Sequence, residues 1–250
     1  MTVKEWYRPS KEGISPFDLT YIEEFALPCE RTEQELNSLA FIISAMSRKP
    51  RVLDIAGGFG RIGSELIRLN LVSLLVNLDL NRQFLHLARD RNVINLVEGD
   101  MRALPFSDRS FDLALIMFTS FGYFSDEDNF RVLEEAYRVL DHNGVLVLDL
   151  PNYERISCNF SSWREKVLKN GDVVGYKRRI EGVYLVEERA IKTLGGEEKT
   201  LLPIRLRIYL WREILDLCRK AGFGTTMAVD QNLKEFIPKD SERLWVISTK

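Results

Sequence analysis

The alternation of apolar and polar positions divides the 250-residue chain into stretches of two kinds. Short apolar runs at 52–55, 73–78, 94–97, 111–117 and 145–150 read as buried strands. Between them, apolar residues recur at three- and four-residue spacing, which predicts helices. The first helix takes Leu36, Leu39, Ala40, Ile43 and Met46, with Thr32 as its expected N-cap and Glu35 as the capping-box partner three residues on. Ile62, Leu66 and Leu69 mark a second helix that ends near Asn70. Phe84, Leu87 and Ala88 mark a third, capped by Asn81, and Phe130, Leu133, Ala136, Tyr137 and Leu140 a fourth over 126–140. Strands alternating with helices predict an α/β fold around a parallel sheet. Residues 1–30 keep no period and read as loop with a short helix over 19–26.

From Glu154 onward the pattern changes. Residues 155–170 read as a loose helix, and 173–179, 183–191 and 201–210 as strands separated by Glu181-Gly182 and Gly195-Gly196 turns. Three such strands form a small antiparallel sheet, inserted before a helix over 211–221. Within 204–210, period two puts Arg205, Arg207 and Tyr209 on one face and Ile204, Leu206, Ile208 and Leu210 on the other. A charged stripe on an antiparallel strand usually faces water; turned inward, it suits a carboxylate or phosphate. Segments 225–229 and 244–248 close the main sheet as a terminal hairpin.

The candidate chemistry centres on residues 51–61, RVLDIAGGFGR. A strand running into a glycine turn and then a helix near Gly60 sets bare backbone N–H groups against a ligand. The spacing Gly58-Phe59-Gly60-Arg61-Ile62-Gly63 also satisfies the dinucleotide GxGxxG pattern, so two cofactor types remain open on the glycines alone. Asp54 distinguishes them. A carboxylate at the end of an apolar strand needs a partner to offset its desolvation, and the ammonium group of S-adenosylmethionine supplies one. Asp79 lies about 20 residues beyond Gly58, the separation at which an acidic residue accepts hydrogen bonds from ribose hydroxyls.

The stretch Asp54-Ile55-Ala56-Gly57-Gly58-Phe59-Gly60 resembles the DxGxGxG motif of class I S-adenosylmethionine-dependent methyltransferases, with Ala56 where the first glycine is usual. The resemblance implies a Rossmann-like doubly wound seven-stranded sheet in the order 3-2-1-4-5-7-6, last strand antiparallel, with a small antiparallel β insertion. It implies cofactor contacts from Asp54, Ala56, Gly57, Gly58 and Gly60, from Asp79 and Leu80, and from Met117 and Phe118. Asp100 in GDMRALPF stands where the family bonds the adenine amino group, and Met101 where backbone meets the ring. The phrase TSFGYF, the inserted strands and RIYLWREILDLCRKAGF together resemble a small-molecule subset of that family. Its organisation implies a helical lid over 1–50, a core of 51–153 with 211–250, and an inserted sheet over 154–210 that covers the active site. Tyr21, Tyr123, Tyr153, Arg207 and Tyr209 are the candidate substrate contacts, and in the family the leading segment also brings Arg31 within reach of ligand.

Composition narrows the functional classes. Hydrophobic residues at 45% and charged ones at 29% fit a globular chain with a sizeable core, and a net charge of −2 argues against a broadly basic nucleic-acid footprint. Lys177-Arg178-Arg179 is the one dense basic run. Cys29, Cys158 and Cys218 have neither metal spacing nor a CxxC, so no metal site is expected and reduced thiols are. The charged N-terminal residues and the lack of a long apolar run predict a cytoplasmic protein away from membranes, monomeric or homodimeric. His86 and His142 read as structural, and no catalytic base is assigned.

The expected activity is therefore methyl transfer from S-adenosylmethionine to nitrogen or oxygen of a small molecule by in-line displacement. A tRNA or rRNA methyltransferase, a nicotinamide-dependent dehydrogenase and a non-catalytic cofactor-binding protein remain as alternatives.

Overall fold

The computed structural model describes residues 15–17, 21 and 30–250. The helix expected over 19–26, apart from Tyr21, and Cys29 lie outside the described residues. In chain order the elements are α1 (Glu30–Ser44), β1 (Arg51–Ile55), α2 (Arg61–Arg68), β2 (Leu74–Asp79), α3 (Arg82–Asp90), β3 (Asn95–Glu98), β4 (Phe111–Ile116), α4 (Asp126–Val139) and β5 (Leu140–Pro151). There follow α5 (Tyr153–Cys158), β6 (Trp163–Val167), β7 (Val173–Glu181), β8 (Tyr184–Lys192), β9 (Glu198–Thr200), β10 (Ile204–Arg207), α6 (Trp211–Lys220), β11 (Thr225–Val229) and β12 (Arg243–Thr249).

Seven strands form one sheet in the order β3-β2-β1-β4-β5-β12-β11. Strands β1 to β5 are parallel, while β12 runs antiparallel to both β5 and β11. With β11 and β12 as the sixth and seventh core strands, this is the expected order and direction. Val52, Leu53, Leu113, Leu115, Val147 and Trp245 are fully buried. A strand covered on both faces cannot alternate, which is why these strands read as continuous apolar runs. Leu39, Ile62 and Leu66 join the same core from α1 and α2. Burying each such side chain contributes about 1.5–3 kcal/mol relative to leaving it in water.

Local chemistry sets the helix ends. The Asn81 side chain accepts from the backbone N–H groups of Gln83 and Phe84, as expected, and Ser125 does the same for Asp128 at the start of α4. Asp126, Glu127 and Asp128 in the first turn of α4 complement the positive end of its dipole.

Several expectations are corrected. Thr32 is not an N-cap, because α1 already includes Glu30; its hydroxyl accepts from Arg61 Nη1 at 2.8 Å instead. Glu35 is no capping-box partner and pairs with Arg31 at 2.9 Å and Arg61 at 2.7 Å. Residues 141–144, which lie between the helix expected to end at 140 and the apolar run at 145–150, belong to β5: Phe111 pairs with Leu140 and Leu113 with Val145, so the extra residues form an irregularity in β5. The loose helix stops at Cys158, and β6 takes part of the span assigned to it.

The chain groups into two compact units. The larger holds α1 through Cys158 together with Tyr209–Lys250, and the smaller holds Asn159–Ile208 and, from the leading segment, residues 15–17 and 21. In the smaller unit β10, β8, β7 and β6 lie side by side, all antiparallel, and β9 also pairs with β8. Of the strand expected over 201–210 only Ile204–Arg207 forms, as β10; β9 ends at Thr200, before the expected start, and Pro203, which has no N–H to give a ladder, lies between the two. Leu168, Val174, Tyr176, Ile191 and Leu201 form this unit's own core.

Candidate functional site

The parallel strands β1, β2, β3 and β4 end on the same edge of the sheet, and most of the cofactor candidates gather there. Register places Asp54 beside Asn77 and, on the other side, beside Leu115. Beyond β1 the chain turns sharply: the Gly57 N–H donates to Leu78 O at 3.2 Å and the Gly60 N–H to Gly57 O at 3.1 Å. Gly57 cannot carry a side chain. A Cβ there would lie 2.5 Å from Asn77 Oδ1 and 2.6 Å from the Asp54 carboxylate. Gly58 adopts φ +57°, a left-handed backbone that favours glycine, and a Cβ there would be in ordinary contact with the Phe84 ring at 3.6 Å and Asp79 Oδ2 at 3.9 Å. Helix α2 opens at Gly60 with no side chain capping it. Its first N–H groups need a partner from outside the helix.

Asp54 is 2% exposed. Burial pushes its carboxyl up to about 7; the Arg61 guanidinium opposes the rise and the Asp79 carboxylate adds to it. Asp79 accepts from the Gly58 N–H through Oδ2 at 2.9 Å and from the Asn81 N–H through Oδ1 at 2.8 Å. Burial pushes it up to about 6 although these N–H groups pull it down. Each of its oxygens still has a second lone pair to offer. Leu80, half-buried, follows directly.

Asp100 stands next to this pair through β3, where the Gly99 N–H donates to Asp79 O at 3.1 Å. Its carboxylate faces Arg102, whose Nη2 donates to Oδ2 at 2.7 Å and whose Nη1 reaches Asp128 at 3.1 Å. Arg102 also lies over the Phe124 ring. Met101 is buried, and Met117 packs into the main core.

Phe118 and Thr119, just beyond β4, both have left-handed backbones, φ 55° and 68°. Asp149 holds them: its Oδ2 accepts from the Phe118 N–H at 2.9 Å and its carbonyl from the Thr119 N–H at 3.0 Å. Arg243 closes the arrangement, donating to Asp149 Oδ1 and to Thr119 Oγ1, both at 2.7 Å. The guanidinium groups of Arg31 and Arg61 lie 4.6 and 4.9 Å from the centre of the Phe118 ring. Arg31 Nη2 is buried with no hydrogen-bond partner, 3.6 Å from Asp149. Arg61, Asp149 and Arg243 were not singled out from sequence. The signal was present for Asp149, a carboxylate between Leu148 and Leu150, as it was for Asp54.

Of the substrate candidates, half-buried Tyr123 and Tyr153 belong to the larger unit. Tyr209 also does, but it is buried against Phe121, ring centres 5.5 Å apart. Tyr21 and Arg207 belong to the smaller unit. There Arg207 is buried and donates to the Ile208 carbonyl, so the solvated face expected for 204–210 is not found: Leu206, Arg207, Ile208 and Tyr209 are buried in succession.

Residues 52–144 match the family model of the methyltransferase domain. The glycine turn, Asp79, Asp100 and Phe118 all fall inside the matched residues. A curated relative, the ubiquinone/menaquinone biosynthesis C-methyltransferase UbiE of Haemophilus ducreyi, is 33% identical over 172 residues, 64% of either chain. An uncharacterised protein of Methanocaldococcus jannaschii is 24% identical over 182 residues, 73% of this chain and 64% of its own. The chain thus spans less than two thirds of the length of these relatives. Among solved structures, the CcbJ methyltransferase of Streptomyces caelestis superposes with a TM-score of 0.76 at 17% identity, covering 92% of this chain and 95% of its own. CalS10, an amino pentose methyltransferase of Micromonospora echinaspora solved with S-adenosylmethionine bound, gives 0.71 at 19% identity over 93% and 97%. The chain shares its fold with these solved methyltransferases. Among the described residues no cluster of metal-ligating side chains occurs and no helix is long and apolar enough to cross a membrane.

Proposed function

We propose that the protein transfers a methyl group from S-adenosylmethionine to a nitrogen or oxygen of a small molecule. The observation that carries this reading is the juxtaposition of buried Asp54 with a tight glycine turn and a helix start that no side chain caps. The residues present fit the cofactor. Asp54 holds the ammonium group, which relieves the burial that raises its pKa. Asp79 takes the ribose hydroxyls, and Arg31 Nη2, buried and without a hydrogen-bond partner, takes the methionine carboxylate. Asp100 and Met101 flank the adenine, with Leu80, Met117 and Phe118 along the rest of the edge, and the backbone of Ala56, Gly57, Gly58 and Gly60 lines the turn.

The cofactor, when bound, supplies a methyl group activated on a sulfonium. The chain's task is then to hold an acceptor atom in line with it and to exclude water. Tyr123 and Tyr153, which follow β4 and β5, are the side chains we assign to the acceptor. UbiE is named a C-methyltransferase and KedS8 from Streptoalloteichus a sugar N-methyltransferase; the second covers 97% of this chain at a TM-score of 0.75 and supports the choice of a heteroatom acceptor.

Calorimetric titration with S-adenosylmethionine and, separately, NADH tests the reading. Micromolar-range binding of the first that weakens at least about tenfold in Asp79→Ala, with no binding of the second, is expected from loss of a charged hydrogen-bond acceptor. Absence of S-adenosylmethionine binding to the wild type sinks it.

A further inference from the structure

The smaller unit carries a charge imbalance on one face of its sheet. In antiparallel pairing, directly opposite residues and residues two apart share a face. Arg164 pairs with Tyr176 and Tyr176 with Arg189; two residues on, Arg178 pairs with Glu187. Three guanidinium groups therefore share a face with one carboxylate. That carboxylate is already committed, since Arg189 Nε donates to Glu187 Oε1 at 2.7 Å.

Among the described residues Arg164 and Arg178 have no ion-pair partner, the nearby Glu187 being taken by Arg189. Arg164 lies over the ring of fully buried Tyr176, 4.2 Å from its centre, and Arg178 is 5.8 Å from the centre of the Phe160 ring. Half-buried Arg178 has its Nε shielded from water with no hydrogen-bond partner. Burial, then the like charge of Arg164, push its pKa below the ordinary value against the pull of Glu187. A shielded donor without an acceptor is costly, and a guanidinium fork is shaped to hold two oxygens of one oxyanion.

We propose that Arg164 and Arg178, on the Tyr176 face of the smaller sheet, form an oxyanion site that binds a phosphoryl or carboxylate group of a small molecule. The site is contained in the smaller unit and stands apart from the methyl-transfer reading.

The test is calorimetric titration of the full chain with inorganic pyrophosphate and, separately, malonate at low salt, on wild type, Arg164→Gln and Arg178→Gln. One of the two anions should bind, more weakly as salt rises, and its affinity should fall about tenfold or more in each variant. Preference for pyrophosphate assigns the phosphoryl group, and preference for malonate the carboxylate. S-adenosylmethionine titrations on the same variants should match the wild type, which shows them folded. Exposed Arg164 decides the matter alone if Arg178→Gln does not fold. No binding of either anion to the wild type, or undiminished binding to folded variants, overturns the proposal.

Discussion

Arg243 on β12 donates from Nε to Oδ1 of Asp149 on β5 at 2.7 Å, and the pair fixes a turn that belongs to neither strand. The same guanidinium reaches Thr119 Oγ1, and Asp149 takes the N–H groups of both Phe118 and Thr119. Two successive non-glycine residues in the left-handed region each cost about 1–2 kcal/mol, so the turn persists because these bonds hold it. Replacing Arg243 with Met leaves the fully buried Asp149 short of its main countercharge. We expect a loss of about 3–5 kcal/mol in urea unfolding. A loss below about 1 kcal/mol would show the pair to be dispensable.

Ala56 occupies φ 54°, a backbone that glycine adopts without penalty. Ala56→Gly relieves about 1–2 kcal/mol of steric cost and gives back about 0.4–1 kcal/mol through the freer unfolded chain. The variant should be more stable by up to about 1.6 kcal/mol, with cofactor affinity kept. Thermal unfolding at matched pH checks this, and a lowered midpoint contradicts it.

The acidic groups at the turn predict a pH dependence. Burial raises Asp54 to about 7 and Asp79 to about 6 from a reference of 3.8. The folded state then holds these protons longer than the unfolded chain does, so their contribution to stability is full below about pH 4 and is lost as pH rises through 6 to 7. Asp112 acts oppositely. Despite its burial, hydrogen bonds from Arg51 and Arg48 hold it well below the ordinary range, and its contribution is lost in acid. Cofactor affinity isolates the first effect better than a melting curve does. Binding an ammonium group requires Asp54 ionised, so affinity for S-adenosylmethionine should rise about tenfold from about pH 5.5 to about 7, with proton release. Asp54→Asn should bind weakly with a flatter profile across that interval; an unchanged slope would separate Asp54 from the proton.

What was legible in the sequence follows the range of the interactions involved. Asn81 caps α3 with its own neighbours, and the glycine turn is built within seven residues, so both could be read from a short window. Thr32 and Glu35 had the spacing of a capping box, but Arg61 takes the Thr32 hydroxyl and pairs with Glu35, a competition no local pattern reveals. Strand β6 is exposed along its whole length and carries no alternation to betray it. The Pro203 break was visible and was outweighed by the apolar residues around it. Asp149 and Arg243 lie 94 residues apart, and only the sheet order brings them together.

That sheet order bears on how the protein is made. Strand β12 inserts between β5 and β11, into the interior of the sheet, although it is the last strand in sequence. As the chain leaves the ribosome, β1 to β5 and the glycine turn are available early, while the Phe118-Thr119 turn waits for Arg243 to be translated. Until then β5 presents an apolar open edge and Asp149 lacks its partner. A nascent chain can therefore fold its cofactor turn well before the Phe118-Thr119 turn is locked, and the interval between the two is when it is most exposed to mispairing.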